Sequence, residues 1–170
     1  MNGNYFLKSK RIGFRTWSLD DLDLAVELWS DPEVTKYAGG SFTSAQVQRR
    51  LLTERAILRL HNIQYWPIFN LQTDELIGYC GLRPHKPAAK IFEIGILLKS
   101  AYWGKGYGEE AAKIVVDYAF KKLEASSLFA VHNISNTHSK DLLMRLGFKY
   151  THDEYSVPTD KFDPAYSLLK

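Results

Sequence analysis

The chain has 170 residues, 45% hydrophobic and 24% charged, proportions that leave no room for a long disordered or collagenous tract and fit a single domain, 1–170. Its 22 basic and 19 acidic residues give a net charge of +3 without a block of like charge, which argues against a nucleic-acid partner and leaves an anionic small ligand open. The lone Cys80, inside the apolar run "LIGYCGL", excludes an intrachain disulfide framework, reads as an inert core residue and favours a reducing compartment.

The opening "MNGNYFLKSKRIGF" has no signal-peptide core, and no apolar run is long enough for a bilayer, so a cytoplasmic protein without a membrane partner is expected. "KRIGFRTW" alternates apolar and polar residues, with Ile12 and Phe14 on one side, as a half-buried strand does. Ser18 with Asp21 has capping-box spacing, and Leu22, Ala25, Val26 and Trp29 carry the helix on to "SDPEV". Thr43 with Gln46 opens a second helix, striped by Val47, Leu51 and Leu58 and ending near His61 and Asn62. "YWPIFNL" and "ELIGYCGL" flank the turn "QTDE" as a hairpin, with Pro67 at an edge or bulge and Trp66 and Phe69 as core residues. "KIFEIGILL", with Phe92 in the core, is a further strand. Ala111, Ile114, Val115, Tyr118 and Ala119 then mark a helix from about Glu109 to Leu123. "SLFAVH" is a strand, "SKDLLMRLGF" a helix closed by Gly147, and "FKYTHDEY" and "AYSLLK" are terminal strands. This order predicts an α/β (α+β) fold: a mixed sheet of six to seven strands with about four helices on both faces.

Between "EIGILL" and the third helix stands "WGKGYGEEA". A glycine-rich turn running into a helix aims the free N–H groups of the first turn, and the positive end of the helix dipole, at one spot suited to phosphate. Glu109 and Glu110 could answer the same dipole without a ligand. A Walker A loop needs Ser or Thr after its lysine, but Gly106 follows Lys105; a dinucleotide fingerprint needs G-x-G-x-x-G, and the spacing here is G-x-G-x-G.

The turn, together with "NTHSKDLLMRLGF", resembles the pyrophosphate loop, commonly written Q/R-x-x-G-x-G/A, and the closing helix of the GNAT acyltransferases. The resemblance covers nearly the whole chain and is strongest to the RimJ/RimL-type ribosomal-protein N-acetyltransferases. One departure is that Ala101 and Tyr102 stand where the motif usually begins. The resemblance implies a mostly antiparallel GNAT sheet and an N-acetyltransferase that takes acetyl from acetyl-CoA by direct attack, with no metal. Its acceptor is a primary amine, either a protein N-terminus or a small molecule, and relatives are often homodimers. The alternative is a non-catalytic CoA-binding module; a third reading is a mononucleotide site. The cofactor would lie on Trp103, Gly104, Lys105, Gly106, Tyr107 and Gly108, with its pantetheine arm along Ile96, Leu97 and Leu98 of a strand splayed from "SLFAVH".

Acetylation of an amine requires removal of the ammonium proton, since a lysine-like amine has a pKa of about 10.4, together with support for the oxyanion and release of the thiolate. The resemblance places Glu93 as the base, the Ile96 N–H as oxyanion donor and Ser139 at the sulfur. His132, with His138 nearby, is an alternative base. The tyrosine that relatives use as acid is Leu143 here. Asn136 is either a cofactor contact or a helix cap. Asp31, Glu33 and Tyr37 lie in the segment that borders the acceptor in relatives, where the two carboxylates attract a cation or cap a helix.

Overall fold

The computed structural model describes residues 4–170; Met1–Gly3, the start of the segment expected to lack a leader, lie outside the described residues. The strands are β1 (Leu7–Lys8), β2 (Ile12–Phe14), β3 (Tyr65–Asn70), β4 (Leu76–Lys86), β5 (Ile91–Leu98), β6 (Ser127–Val131), β7 (Lys149–Ser156) and β8 (Lys161–Leu169). They form one sheet in the order β1-β2-β3-β4-β5-β6-β8-β7. Neighbours are antiparallel except β5 and β6, which run parallel. The α-helices among the described residues are α1 (Leu22–Trp29), α2 (Pro32–Thr35), α3 (Ser44–His61), α4 (Tyr107–Lys121) and α5 (Thr137–Arg145).

The class is the one expected, but among the described residues the sheet has eight strands rather than six to seven, and there are five α-helices rather than about four. The additions are β1, with two residues, and α2, with four, both too short to show a period. In "SDPEV" the apparent break is itself a helix start: the Asp31 carboxylate accepts from the amides of Glu33 and Val34, and Pro32 occupies the first turn. Both predicted capping boxes form, Ser18 with Asp21 ahead of α1 and Thr43 with Gln46 ahead of α3. Asn62 ends α3 at φ 57°. After α5, Gly147 adopts φ 89°, its N–H bonding to the Met144 carbonyl while that of Phe148 reaches back to Leu143.

Two cores cover the two faces of the sheet. On one face α4 and α5 pack through Ala111, Ala112, Val115, Ala119 and Leu143 onto Ile12, Phe14, Trp66, Ile68, Leu82, Ile94 and Leu128. On the other, α1 and α3 pack through Ala25, Leu28, Trp29, Val47 and Leu51 onto Tyr65, Phe69, Leu76 and Tyr79. Cys80 is fully buried in the first core, where burial pushes its thiol up, as suits an inert residue. Pro67 sits beside a register shift between Ile68 and Phe69, where the ladder tolerates a missing donor.

β5 and β6 pair only over Ile91↔Ser127, Phe92↔Leu128 and Glu93↔Phe129. Beyond Glu93, β5 keeps its bonds to β4 up to Leu98, while β6 continues on β8 up to Val131. The sheet therefore opens a gap between the C-terminal ends of two parallel strands, where ligands enter α/β folds.

Candidate functional site

The glycine turn stands at the end of the freed half of β5. Gly104 and Gly106 take φ values of 68° and 78°, left-handed backbone that a side chain disfavours. A Cβ at Gly104 would meet nothing within 4 Å, and one at Gly106 only the Arg11 guanidinium at 3.5 Å. Gly106 is the N-cap of α4 and supplies no side-chain acceptor to the first-turn amides.

The two glutamates at this helix start are engaged elsewhere. Glu110 accepts from Ser9 Oγ (2.6 Å), from the Arg11 backbone N–H (3.2 Å) and from Arg11 Nε (2.7 Å). Glu109 pairs with Lys113 (2.7 Å) and Arg145 (3.0 Å), and their hydrogen bonds hold its carboxyl below the usual range. Arg11, which the sequence did not single out, also donates to the Lys105 carbonyl (3.0 Å) and lies 4.1 Å over the Tyr107 ring. Tyr102, at the motif's point of departure, donates to Glu75 (2.9 Å); burial and that carboxylate push its hydroxyl up to about 12. The Trp103 indole N–H bonds to the Leu98 carbonyl (2.8 Å), and its backbone N–H to that of Ser100 (3.1 Å). The turn is thus held by Arg11, Tyr102 and Trp103. Bare glycines, an uncapped helix start and diverted carboxylates form a donor set that fits a diphosphate.

On the face carrying α1 and α3, Glu93 is half-buried at the point where β5 leaves β6, and Tyr65 Oη donates to its Oε1 at 2.9 Å. Ile96, Leu97 and Leu98 lie along the freed part of β5; Ile96 and Leu98 pack toward α4, and Leu97 toward α1 and α3. Beneath Tyr65 is a polar cluster. Glu54, wholly buried on α3, pairs with Arg50 (3.0 Å) and with Arg83, and accepts from the Tyr65 N–H (3.0 Å). Glu54 falls on the same stripe as Val47 and Leu51, so its helical phase was the available signal.

The remaining predicted residues fall in three places. Asn136 caps α5, its Oδ1 accepting from the Ser139 N–H (3.1 Å), and Ser139 is half-buried in the first turn. Leu143 is buried, so α5 brings no tyrosine to the gap. His132 is buried, with Nδ1 against the Asn133 carbonyl (2.8 Å) and Nε2 near Tyr166 Oη (3.4 Å), whereas His138 is exposed. Asp31 caps α2, Glu33 pairs with Lys36 (2.6 Å), and the Lys36 ammonium lies over the rings of both Tyr37 and Trp103 (5.2 and 5.0 Å). The Lys36–Trp103 contact brings the end of α2 alongside the glycine turn.

A sheet split between two parallel strands, with an amide cradle at the mouth of the split, defines an acyl-transfer fold. The family described as acetyltransferase (GNAT) domain matches residues 11–149. The uncharacterized N-acetyltransferase p20 of Bacillus licheniformis is 34% identical over 145 residues, 84% of this chain and 82% of that protein. The structure of a GNAT-family acetyltransferase from Bacillus anthracis has a TM-score of 0.81 at 22% identity, covering 96% of this chain and 97% of that one. RimL, a ribosomal L7/L12 alpha-N-protein acetyltransferase solved in complex with coenzyme A, has a TM-score of 0.81 at 12% identity, covering 95% of each chain, and so shares the fold. The chain belongs to the GNAT acetyltransferase family and is an acyltransferase.

Proposed function

We propose that the chain is an N-acetyltransferase that moves acetyl from acetyl-CoA to a primary amine by direct attack. The observation that carries this reading is the uncapped start of α4, with bare Gly104 and Gly106, at the end of the strand freed from β6. The amides of Lys105 to Gly108 would hold the diphosphate, and the free length of β5 at Ile96 to Leu98 would align the pantetheine arm as an added strand. Acetyl-CoA supplies an activated thioester carbonyl. Glu93, half-buried and facing the α1/α3 side, would take the ammonium proton so that the amine attacks as a neutral nucleophile. The Ile96 N–H would support the developing oxyanion, and Ser139, at the start of α5, would face the departing sulfur. A protein N-terminus or a small amine such as a polyamine, amino acid or aminoglycoside would enter beside the segment of Asp31, Glu33 and Tyr37.

The test is thiol release from acetyl-CoA with a panel of these amines and N-terminal peptides, run beside calorimetry with CoA. At least one amine is expected to drive release. Binding of CoA with no release for any amine would favour the non-catalytic module, whose supporting observation is the buried Leu143 in place of an acid.

A further inference from the structure

We propose that Tyr65 is the positioning residue for Glu93, carried across β4 by a pair of side-chain-free positions; this rests on the reading of Glu93 as the base. Tyr65 lies opposite Gly81 in the ladder, and Gly81 lies opposite Gly95. The phenol crosses the middle strand and rests on Gly95, where any Cβ would collide with the ring. It is stacked against Tyr79, with centroids 5.1 Å apart and planes at 3°, and the Arg83 guanidinium lies 4.4 Å over it. Its backbone N–H is fixed by buried Glu54, which also pairs with Arg83. A rigid support therefore runs from α3 through two strands to one carboxylate oxygen at the open edge of β5.

The direction of the bond follows from the surroundings. Burial and then the charge of Glu93 push the Tyr65 hydroxyl well above its ordinary value, so it stays protonated and donates. With Oε1 held, Oε2 of Glu93 is the oxygen left to accept a proton, in a fixed orientation. Tyr65 is not the missing acid of α5 in another guise: Leu143 belongs to the core on the opposite face. The charged and titratable groups around Glu93 are Tyr65 from β3, Arg83 opposite it and Tyr79 on β4, Arg50 and Glu54 behind them on α3, and His85 and His152, which stack on Phe129, its partner on β6. Tyr65 is the neighbour that hydrogen-bonds to it.

Tyr65→Phe keeps the ring, its stacking and the Glu54 contact, and removes only the donor. With the fastest amine of the panel, kcat is expected to fall about 10- to 100-fold. The loss should fall on kcat with the acceptor KM nearly unchanged, because the donor orients the carboxylate and does not touch the amine. CoA affinity by calorimetry and the thermal midpoint should hold, which a merely structural role would not predict. A full-rate Tyr65→Phe, or one slowed only through KM, beside a slow Glu93→Gln overturns the inference and leaves the base reading intact. A full-rate Glu93→Gln instead removes the base reading, and the role of Tyr65 with it.

Discussion

Glu110 occupies the first turn of α4, yet its carboxylate faces the β1–β2 hairpin and is held there by Ser9 and Arg11. Burial raises its carboxyl, but the hydrogen bonds from Ser9 and Arg11 and the guanidinium charge outweigh it, and the net shift is downward. A carboxylate depressed in the folded state stabilises the fold above its unfolded value, about 4.3 for glutamate, and that contribution fades as pH falls through the depressed value. Glu110→Gln is therefore expected to lower the urea midpoint at pH 7, with the gap to the parent protein closing as the pH falls below about 4. Urea titrations at pH 7 and pH 3 check this; an equal gap at both would mean that Arg11 and Ser9 are held by shape alone. The same substitution frees Arg11, which donates to the Lys105 carbonyl in the glycine turn, from its carboxylate partner.

At the scale of elements, the glycine turn allows a substitution that separates charge from shape. Gly104 has φ 68° and open space where a Cβ would stand, and aspartate and asparagine are the side chains that best tolerate left-handed backbone. Gly104→Asp is expected to weaken CoA at least about tenfold, by placing a carboxylate in the amide cradle, while Gly104→Asn, its uncharged isostere, should lose much less. Calorimetry on the two variants decides; equal affinities would move the diphosphate away from Gly104. The turn was legible in sequence because its chemistry is local: glycines, helix start and flanking strand all lie within about 15 residues. The capping boxes at Ser18 and Thr43 and the Gly147 termination were legible for the same reason. Arg11 was not, because it reaches Lys105 and Glu110 only when β2 and α4 are packed, across more than 90 residues of sequence. Tyr65 and Glu93 come together only through the register of β3, β4 and β5, and the available hint was two glycines inside strands, a pattern that marks close approach of another group.

The molecule as a whole is two half-sheets joined at three residue pairs, with β1 to β5 on one side and β6, β8 and β7 on the other. Past that joint the halves meet again through loops: Gly39, after α2, abuts Pro158 in the β7–β8 turn closely enough that a Cβ would strike the proline carbonyl. The turn is braced from behind by buried Asp163, which accepts from the Ile134 N–H (3.0 Å) and from Thr159 Oγ1 (2.8 Å). This contact bridges the loop after α2, whose Val34 packs on the same face as α1, to the half-sheet of β6, β8 and β7. Gly39 has φ 94°, so Gly39→Ala adds both backbone strain and a clash, at a cost of about 1 kcal/mol or more, which for a chain of this size lowers the thermal midpoint by roughly 2–4 °C. On the proposed entry beside Asp31, Glu33 and Tyr37, the acceptor KM should change, while CoA affinity, which rests on the amides around Gly104 and Gly106 and not on Gly39, should hold. Thermal unfolding, acceptor kinetics and CoA calorimetry on this variant measure the three quantities separately; a parallel loss of CoA affinity would show that the bridge and the cradle move as one body.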